Sequence, residues 1–275
     1  MRGKELSIGV IISTYNNPIY LERVLDGYTH QTRLPSEVLI ADDGSKQETE
    51  LLVKEFAKRA PFKVKHIWHP DEGFRKCTIL NNAIKACESE YIVVTDHDCI
   101  PREDFIETHL RYAQKGRFLS GGYSKLPKHT SALICAEKIP YEQVFSLRWL
   151  RQNGLPRSFR NSKLFRSKPY AWLLNHLTTA KASWNGCNSS GWKEDLVAVN
   201  GFNQDMQYGG LDRELGERLC NYGLKGKQIR YSAVVIHLYH DRPYKTRETM
   251  DKNHHIRKHV RKTNLVRTPN GIQQL

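Results

Sequence analysis

The chain has 275 residues, of which 39% are hydrophobic and 26% charged. This balance is typical of one large globular domain and excludes a disordered chain. No apolar run approaches the ~20 residues of a membrane-spanning helix. Residues 1–7 lead directly into a strand without the pattern of a signal peptide, and the six cysteines are scattered. We therefore expect a cytoplasmic protein with reduced thiols.

The formal net charge of +14 indicates an anionic partner: a phosphorylated substrate, an acidic membrane surface or nucleic acid. Residues 143–193 contain nine Lys or Arg and no Asp or Glu, and a second basic run covers 242–267. Aromatic residues are interspersed in the first run, which favours docking on an anionic bilayer. An ordinary solvated basic surface is the alternative. Nucleic acid is not expected, because no recognition module is present.

Strands and helices alternate along the first hundred residues. Strands are predicted at 6–13, 37–41, 62–69 and 91–95, and helices at 19–31, 48–60 and 78–87. The short links between them indicate an α/β fold with a mostly parallel sheet flanked by helices. After about residue 125 this alternation stops. Further helices are predicted at 195–200, 211–222 and 246–262, with a late strand at 228–237.

Three of the early strands are followed by polar clusters. These are Thr14, Tyr15 and Asn16; Asp42 and Asp43; and Asp96, His97 and Asp98. The carboxyl ends of parallel strands lie at one sheet edge, so the clusters are expected to converge on a nucleotide. Carboxylates at the second strand end accept hydrogen bonds from a base or ribose. Asp96 and Asp98 supply the hard oxygen donors that suit Mg²⁺ or Mn²⁺ beside a diphosphate.

Other polar residues are candidates for the same pocket. Arg75 and Asn81 could reach a phosphate or the base, although a solvated loop and helix start would explain them equally well. Asp212, in the first turn of a helix behind Gly209 and Gly210, could be a general base or could simply complement the helix dipole. His237 and His240 follow an apolar strand, where one of them could complete a metal site, and we favour His237.

Several ordered motifs resemble family 2 glycosyltransferases with the GT-A fold. They are Ile-Ser-Thr-Tyr-Asn at 12–16, Ala-Asp-Asp-Gly-Ser at 41–45, Thr-Asp-His-Asp at 95–98, and Tyr-Gly-Gly-Leu-Asp-Arg-Glu-Leu at 208–215. The Gly-Phe-Arg-Lys…Asp-Cys-Ile-Pro pattern at 73–101 is similar to the bacterial chondroitin-polymerase-like subgroup. The resemblance covers roughly residues 6–240.

The resemblance implies inverting transfer of a sugar, usually UDP-linked, to a hydroxyl of a glycan or glycolipid acceptor, with Mn²⁺ or Mg²⁺ as cofactor. Asp212 would be the base, and Asp98 with His237 would hold the metal. The nucleotide sugar would be bound by Thr14, Tyr15, Asn16, Asp42, Asp43, Arg75, Asn81, Asp96 and His97. The acceptor would be bound by Trp184, Trp192, Gly210, Glu214 and His240. The family's usual Glu before this Asp is replaced by Leu211.

The expected division is a nucleotide-sugar half at 1–125, an acceptor and catalytic half at 126–240 of the same domain, and a basic extension at 241–275. The expected role is lipopolysaccharide, capsule or surface-polysaccharide assembly on the inner face of the cytoplasmic membrane, by a monomer or homodimer. Two alternatives stay open. One is a catalytically silent glycan- or lipid-binding module, and the other is a sugar-phosphate nucleotidyltransferase, although the glycine-rich pyrophosphate loop is missing from the first turn.

Overall fold

A computed structural model describes residues 6–137, 139–241 and 245–274. Its strands are β1 (Ile8–Thr14), β2 (Glu37–Asp42), β3 (Lys63–Trp68), β4 (Tyr91–Asp96), β5 (Cys99–Pro101), β6 (Arg117–Ser120), β7 (Gly122–Lys125), β8 (Ser189–Trp192), β9 (Lys225–Gln228) and β10 (Val234–His237). Its α-helices are α1 (Pro18–Thr29), α2 (Gln47–Arg59), α3 (Lys76–Ala86), α4 (Phe105–Tyr112), α5 (Lys128–Ala136), α6 (Tyr141–Val144), α7 (Leu147–Gln152), α8 (Lys168–Leu177), α9 (Lys193–Ala198), α10 (Leu211–Asn221) and α11 (Arg247–Thr263). Short 3₁₀ helices cover Phe159–Leu164 and Ile272–Gln274.

The main sheet has seven strands in the order β3-β2-β1-β4-β8-β6-β9. The four strands β3, β2, β1 and β4 are mutually parallel, and they are the four that the apolar runs predicted. Strand β8 is antiparallel to both β4 and β6, and β6 pairs in parallel with β9. The sheet is therefore mostly parallel at the amino-terminal half of the chain and mixed beyond it.

The central strands are buried because both faces of the sheet are covered. Side chains alternate along β1, so Val10 and Ile12 pack into one apolar cluster with α1, while Ile11 packs into the other with α3. Helix α1 begins at a side-chain cap, where Asn17 Oδ1 accepts from the Tyr20 backbone N–H. Burial on both faces explains why these strands are continuous apolar runs.

A second sheet of three strands has the order β5-β10-β7. Strand β10 is antiparallel to β5, with His237 opposite Cys99, and parallel to β7. The late strand predicted at 228–237 is therefore wrong as one element, because β9 and β10 belong to different sheets and are separated by a turn. The small sheet has a direct consequence for the site, since it brings the end of β10 beside the turn that follows β4.

Residues 126–137 and 139–182 form a set of short helices and turns, α5 to α8, which agrees with the predicted break in alternation. No helix in the described ranges has the length and hydropathy to cross a bilayer. Helix α11 packs along α10, where Arg257 and Arg261 both pair with Glu217 at 2.6 and 3.0 Å. Much of the basic extension is therefore attached to the helix that carries Asp212.

Candidate active site

The three polar clusters meet at one edge of the main sheet. In the strand register Thr14 is opposite Asp42, and Ser13 is opposite Asp96. Thr14 is buried, and its Oγ1 has no hydrogen-bond partner among the described residues. The convergence predicted from the parallel strands is thus present, and an uncommitted hydroxyl lies at its centre.

The carboxylates of Asp42 and Asp43 are each held by a histidine from the β3 side. Asp42 contacts His66 Nε2 at 2.8 Å and accepts the Ser45 backbone N–H at 2.8 Å. Asp43 contacts His69 Nε2 at 2.8 Å. It also accepts the backbone N–H of Arg75 at 3.1 Å, which ties the Arg75 loop to β2. Burial raises the pKa of Asp43, and the His69 hydrogen bond opposes that rise.

The turn after β1 forms the outer wall of this pocket. Asn16 has a φ of 46° and bridges to the next loop, with its Oδ1 accepting the Lys46 backbone N–H at 2.9 Å. The exposed Tyr15 donates its hydroxyl to Asp71 at 2.8 Å. The Arg75 guanidinium is paired with Glu72 at the rim of the loop. Tyr15, Asn16 and Arg75 therefore surround the entrance, where an aromatic ring and a cation suit a nucleotide.

Asp96 is the acidic group at the end of β4, and it has two short contacts. Its Oδ1 accepts from Ser13 Oγ at 2.6 Å and from Lys76 Nζ at 2.6 Å. Burial opposes ionisation, yet Lys76 and Ser13 hold the pKa of Asp96 down to about 2. His97 is tied to the Ser13 carbonyl at 3.1 Å, and burial lowers its pKa. The acidic turn therefore presents an ionised Asp96 together with a neutral His97.

Asp98 lies against two histidines that follow β10. Its Oδ2 is 3.2 Å from His240 Nε2 and 3.7 Å from His237 Nδ1. The two imidazole rings are stacked 5.4 Å apart with 12° between their planes. Ligand atoms of Asp98, Cys99 and His237 also lie within 4.8 Å of one another. The structure thus brings both predicted histidines, and not His237 alone, to the predicted carboxylate.

The protonation of these groups defines the ligand set. Nδ1 of His237 contacts the Leu238 carbonyl at 2.8 Å, and Nδ1 of His240 contacts the Asp241 carbonyl at 2.9 Å. A carbonyl only accepts, so Nδ1 of each ring carries a proton. His240 faces Asp98 with its Nε2, which can bind a cation, whereas His237 faces Asp98 with its Nδ1. Burial raises the pKa of the Cys99 thiol well above its usual range. The donors beside Asp98 are its carboxylate and the two imidazoles, a hard-to-borderline set that fits Mn²⁺.

Asp212 begins α10 directly after the left-handed turn of Gly209 and Gly210, whose φ values are 105° and 87°. It is partly buried, and its Oδ1 has no hydrogen-bond partner within the described ranges. Burial raises its pKa to about 6; Lys76 opposes that rise and Asp96 adds to it. A Cβ at Gly186 would come 2.7 Å from Oδ1, so only glycine leaves room for this carboxylate. A carboxyl with this pKa and a free oxygen is suited to accept a proton near neutral pH.

Four of the predicted site residues have structural environments instead. Trp184 is fully buried in the apolar core, and Trp192 pairs with Tyr91 at the opposite end of β4 from Asp96. Glu214 is fully buried and paired with Arg218 at 2.8 Å. Asn81 is buried, with both amide atoms bonded to the backbone of Phe202 at 2.8 Å. None of these side chains is directed at the converging strand ends, because each one is committed to packing or to a buried bond.

Gly210 lies in the left-handed turn that directly precedes Asp212. Sequence reasoning missed Lys76, which contacts Asp96. Apart from its position directly after Arg75, no feature of the sequence indicates this contact. Sequence reasoning also missed Asp71, His66 and His69, which bond Tyr15, Asp42 and Asp43. His66 and Trp68 are two residues apart in β3 and therefore share a face of the sheet. Trp68 is the register partner of Asp42, so His66 lies on the same side as Asp42.

Solved structures share this architecture. A mannosyltransferase, PcManGT from Pyrobaculum calidifontis, solved with GDP-Man and Mn²⁺, is 20% identical, with a TM-score of 0.59 over 88% of this chain and 59% of that one. Residues 1–349 of S. aureus TarS in complex with UDP are 13% identical, with a TM-score of 0.60 over 98% of this chain and 68% of that one. These similarities confirm the GT-A fold that the motifs predicted.

Curated relatives match in sequence over most of the chain. A validoxylamine A glucosyltransferase of Streptomyces hygroscopicus subsp. limoneus is 26% identical over 79% of this chain and 48% of its own length. A chondroitin synthase of Escherichia coli is 25% identical over 86% of this chain and 35% of its own length. The chain thus spans less than half the length of these two relatives.

Two family models match consecutive parts of the chain. A model described as the N-terminal domain of galactosyltransferase matches residues 175–241, which include Asp212, His237 and His240. The glycosyl transferase family 2 model matches residues 9–176, more than half of the chain, and includes all three polar strand ends. The chain therefore belongs to glycosyl transferase family 2.

Proposed function

We propose that the protein transfers a sugar from a UDP-linked donor to a hydroxyl of a glycan or glycolipid, with inversion and with help from a divalent metal ion. One observation carries the proposal. Asp98 with its two histidines, the ionised Asp96 and the free carboxylate oxygen of Asp212 surround one edge of the sheet. A glycosyl transfer needs these three parts: a place for the diphosphate, a place for a cation and a base.

The nucleotide lies, in this proposal, across the ends of β1 and β2. Tyr15 and Arg75 border the base, and Thr14 Oγ1 supplies an uncommitted hydroxyl. Asp42 and Asp43 have ordered carboxylates whose remaining lone pairs can accept from the uracil or the ribose. The exposure of Tyr15 and Arg75 is consistent with side chains that adjust when the nucleotide enters.

The metal is assigned to Asp98 together with His240 and His237. The carboxylate and imidazole donors favour Mn²⁺, and the protonated Cys99 thiol donates to Asp98 Oδ1 at 3.1 Å, which orients the carboxylate. These residues would hold a divalent ion, which would supply stabilisation of the negative charge on the leaving diphosphate. Lys76, buried beside Asp96, adds a fixed positive charge on the donor side.

Asp212 is assigned as the general base. Its free Oδ1 takes the proton of the acceptor hydroxyl as that oxygen forms a bond to the anomeric carbon. The bond from the anomeric carbon to the diphosphate oxygen breaks at the same time, and UDP leaves. A single in-line displacement inverts the anomeric configuration and requires no covalent intermediate.

The test is release of UDP from a panel of UDP-sugars with and without Mn²⁺. Asp98→Ala is expected to lose the metal-dependent hydrolysis of the preferred donor. Asp212→Asn is expected to retain donor binding while losing acceleration by an acceptor. Asp251→Asn removes an exposed carboxylate of α11 and is the matched control. If no nucleotide sugar is bound or hydrolysed with metal present, the transferase proposal is wrong and a binding module of the same fold replaces it.

Individual His237→Ala and His240→Ala variants decide how the two rings share the metal. The variant that weakens Mn²⁺ binding more, measured by calorimetry, identifies the principal ligand. The orientation of His240 Nε2 toward Asp98 supports His240 for that role, whereas the sequence favoured His237. We place the reaction in bacterial lipopolysaccharide, capsule or other surface-polysaccharide assembly at the inner face of the cytoplasmic membrane, since the basic surface suits phosphorylated or lipid-linked acceptors.

A further inference from the structure

An apolar patch is exposed on the 3₁₀ helix Phe159–Leu164 and on α8. It consists of Phe159, Phe165, Trp172, Leu173 and Leu177, and we call it the α8 patch. Trp172 is 54% exposed, Leu173 45% and Leu177 65%. Isolated exposed apolar residues are ordinary in soluble proteins, but five large ones within 19 residues of chain are not.

The exposure follows from how α8 is attached. Ala171 is the one fully buried residue of this helix. Asn175 fixes the same helix to the turn before β10, donating to Ser232 Oγ at 2.8 Å and accepting the Tyr231 backbone N–H at 2.9 Å. Small and polar side chains thus hold the helix in place, and its large apolar side chains are left outside. A helix stabilised by burying its own apolar residues would have the opposite arrangement.

The charged side chains of the segment that carries the α8 patch are all positive. Residues 143–193 contain no Asp or Glu, and Arg157, Arg160, Lys168 and Lys181 are all exposed. Arg166 is the exception to this excess of free cations, because it pairs with Glu103 of another element at 2.7 Å. An apolar surface rimmed by cations complements an anionic phospholipid headgroup layer above an apolar interior. Glu103 and Glu107, from the region of α4, are acidic groups near this rim, but the exposed cations of the segment outnumber them.

We propose that the α8 patch docks the protein on the surface of an anionic phospholipid bilayer. Trp172, Leu173 and Leu177 enter the boundary between headgroups and acyl chains, and Arg160, Lys168 and Lys181 contact the acidic headgroups. Tryptophan is the side chain most enriched at that boundary. Each Lys or Arg near an anionic leaflet contributes on the order of 1 kcal/mol, equivalent to about a fivefold gain in partitioning.

A short series of side-chain contacts connects the α8 patch to the candidate metal site. Lys163, between Phe159 and Phe165, donates its ammonium to the Tyr123 carbonyl at 3.0 Å and lies over the Tyr123 ring. The Tyr123 ring in turn packs against His237 at 5.8 Å. Docking by the α8 patch therefore brings the metal side of the pocket close to the bilayer. Given the proposed transferase function, on which this step rests, the acceptor is a glycan carried on a lipid rather than a free oligosaccharide.

Vesicle flotation tests the docking. Wild-type protein is expected to float with vesicles of equal parts phosphatidylcholine and phosphatidylglycerol and to remain unbound with phosphatidylcholine alone. Trp172→Ser with Leu177→Ser should lower partitioning at least tenfold, whereas Leu51→Ser, an equally exposed leucine at 53% on α2, should not change it. Arg160→Glu with Lys168→Glu should lower it by a similar factor, and Lys54→Glu with Lys58→Glu on α2 is the matched charge control.

Quenching by brominated lipids tests which face is inserted. Trp172 and Trp68 are exposed to nearly the same extent, 54% and 51%, on different elements. Lipid-dependent quenching should disappear in Trp172→Phe and persist in Trp68→Phe. Loss in Trp68→Phe instead, or equal flotation of the Trp172→Ser/Leu177→Ser variant and wild type, would overturn the proposal. Concentration-dependent self-association that the same double substitution abolishes, without vesicle binding, would also overturn it and assign the α8 patch to a second copy of this chain.

The UDP-release assay separates this inference from the transferase proposal. Variants of the α8 patch should hydrolyse a water-soluble UDP-sugar at the wild-type rate, since none of the substituted residues contacts the strand ends. Vesicle binding without UDP release by any form would leave the docking standing and refute the transferase. Normal UDP release with no vesicle binding would do the reverse.

Discussion

Replacing Asp212 by Asn should make the protein more stable while removing its acceptor-dependent activity. The carboxyl is partly buried with a free Oδ1, and its pKa is raised from an ordinary value of 3.8 to about 6. An acid whose folded-state pKa is raised destabilises the fold when it is ionised. That destabilisation is complete well above pH 6, shrinks as the pH falls through 6, and is absent below about 4.

The size of the effect follows from the same pKa. A rise from 3.8 to about 6 corresponds to at most about 3 kcal/mol, at about 1.4 kcal/mol for each pKa unit. Because Asp212 is in partial contact with solvent, we expect about 1–2 kcal/mol of added stability in Asp212→Asn at pH 7.5. The amide keeps the size of the side chain, so the substitution removes the charge without creating a cavity.

Urea unfolding in a chelating buffer measures this difference at pH 7.5 and at pH 4.5. Asp212→Asn should exceed wild type in free energy of unfolding at pH 7.5 and retain only about a third of that excess at pH 4.5, while Asp251→Asn should lie within about 0.5 kcal/mol of wild type at both. Acceptor-dependent UDP release by Asp212→Asn should fall by about 10²–10⁴ at pH 7.5, the usual contribution of a general base. An Asn variant no more stable than wild type at pH 7.5, or equally stabilised at both pH values, would refute the assignment of a desolvated, ionised base.

Three further outcomes are expected from the structure. The acceptor-dependent rate of the wild type should rise with pH through about 6, where Asp212 loses its proton, and stay level above pH 7; a rate that falls over this range would exclude Asp212 as the base. Glu214→Gln should lower the free energy of unfolding by about 3 kcal/mol, because it leaves the fully buried Arg218 without its carboxylate. Urea unfolding measures this change, and the control Glu55→Gln, at an exposed position, should lower the free energy of unfolding little. Asn253→Ala should lower kcat about tenfold with an unchanged KM for the donor, since the side chain holds the turn before Asp212; equal losses in kcat and in donor binding would indicate general unfolding instead.

Burial on both faces made the amino-terminal fold predictable. The strands 8–14, 37–42 and 91–96 are buried at nearly every position, so they appear in the sequence as uninterrupted apolar runs. Parallel order then requires their polar ends to meet, and Thr14, Asp42 and Asp96 do so. This argument needs only local sequence and the rule for parallel connections.

The same reasoning failed where a residue type has two common environments. An aromatic ring next to glycines can bind a sugar or fill a core, and Trp184 fills the core. A carboxylate in the first turn of a helix can face a substrate or an arginine four residues later, and Glu214 faces Arg218. Asp212 lies only two residues before Glu214, yet the helical rotation between them separates a candidate base from a buried ion pair. When both faces of a helix carry carboxylates, periodicity alone does not show which face is exposed to solvent.

The role of the carboxyl-terminal helix was beyond sequence reasoning for a different reason, the long separation of its contacts. Residues 241–275 read as a basic tail, but Asn253 is buried and its Nδ2 donates to the carbonyls of Gln207, Tyr208 and Gly209 at 2.8 to 3.0 Å. Those carbonyls belong to the left-handed turn that delivers Asp212 to the pocket. A glycine pair with positive φ is inherently adjustable, so a third element is required to fix it, and α11 meets that requirement.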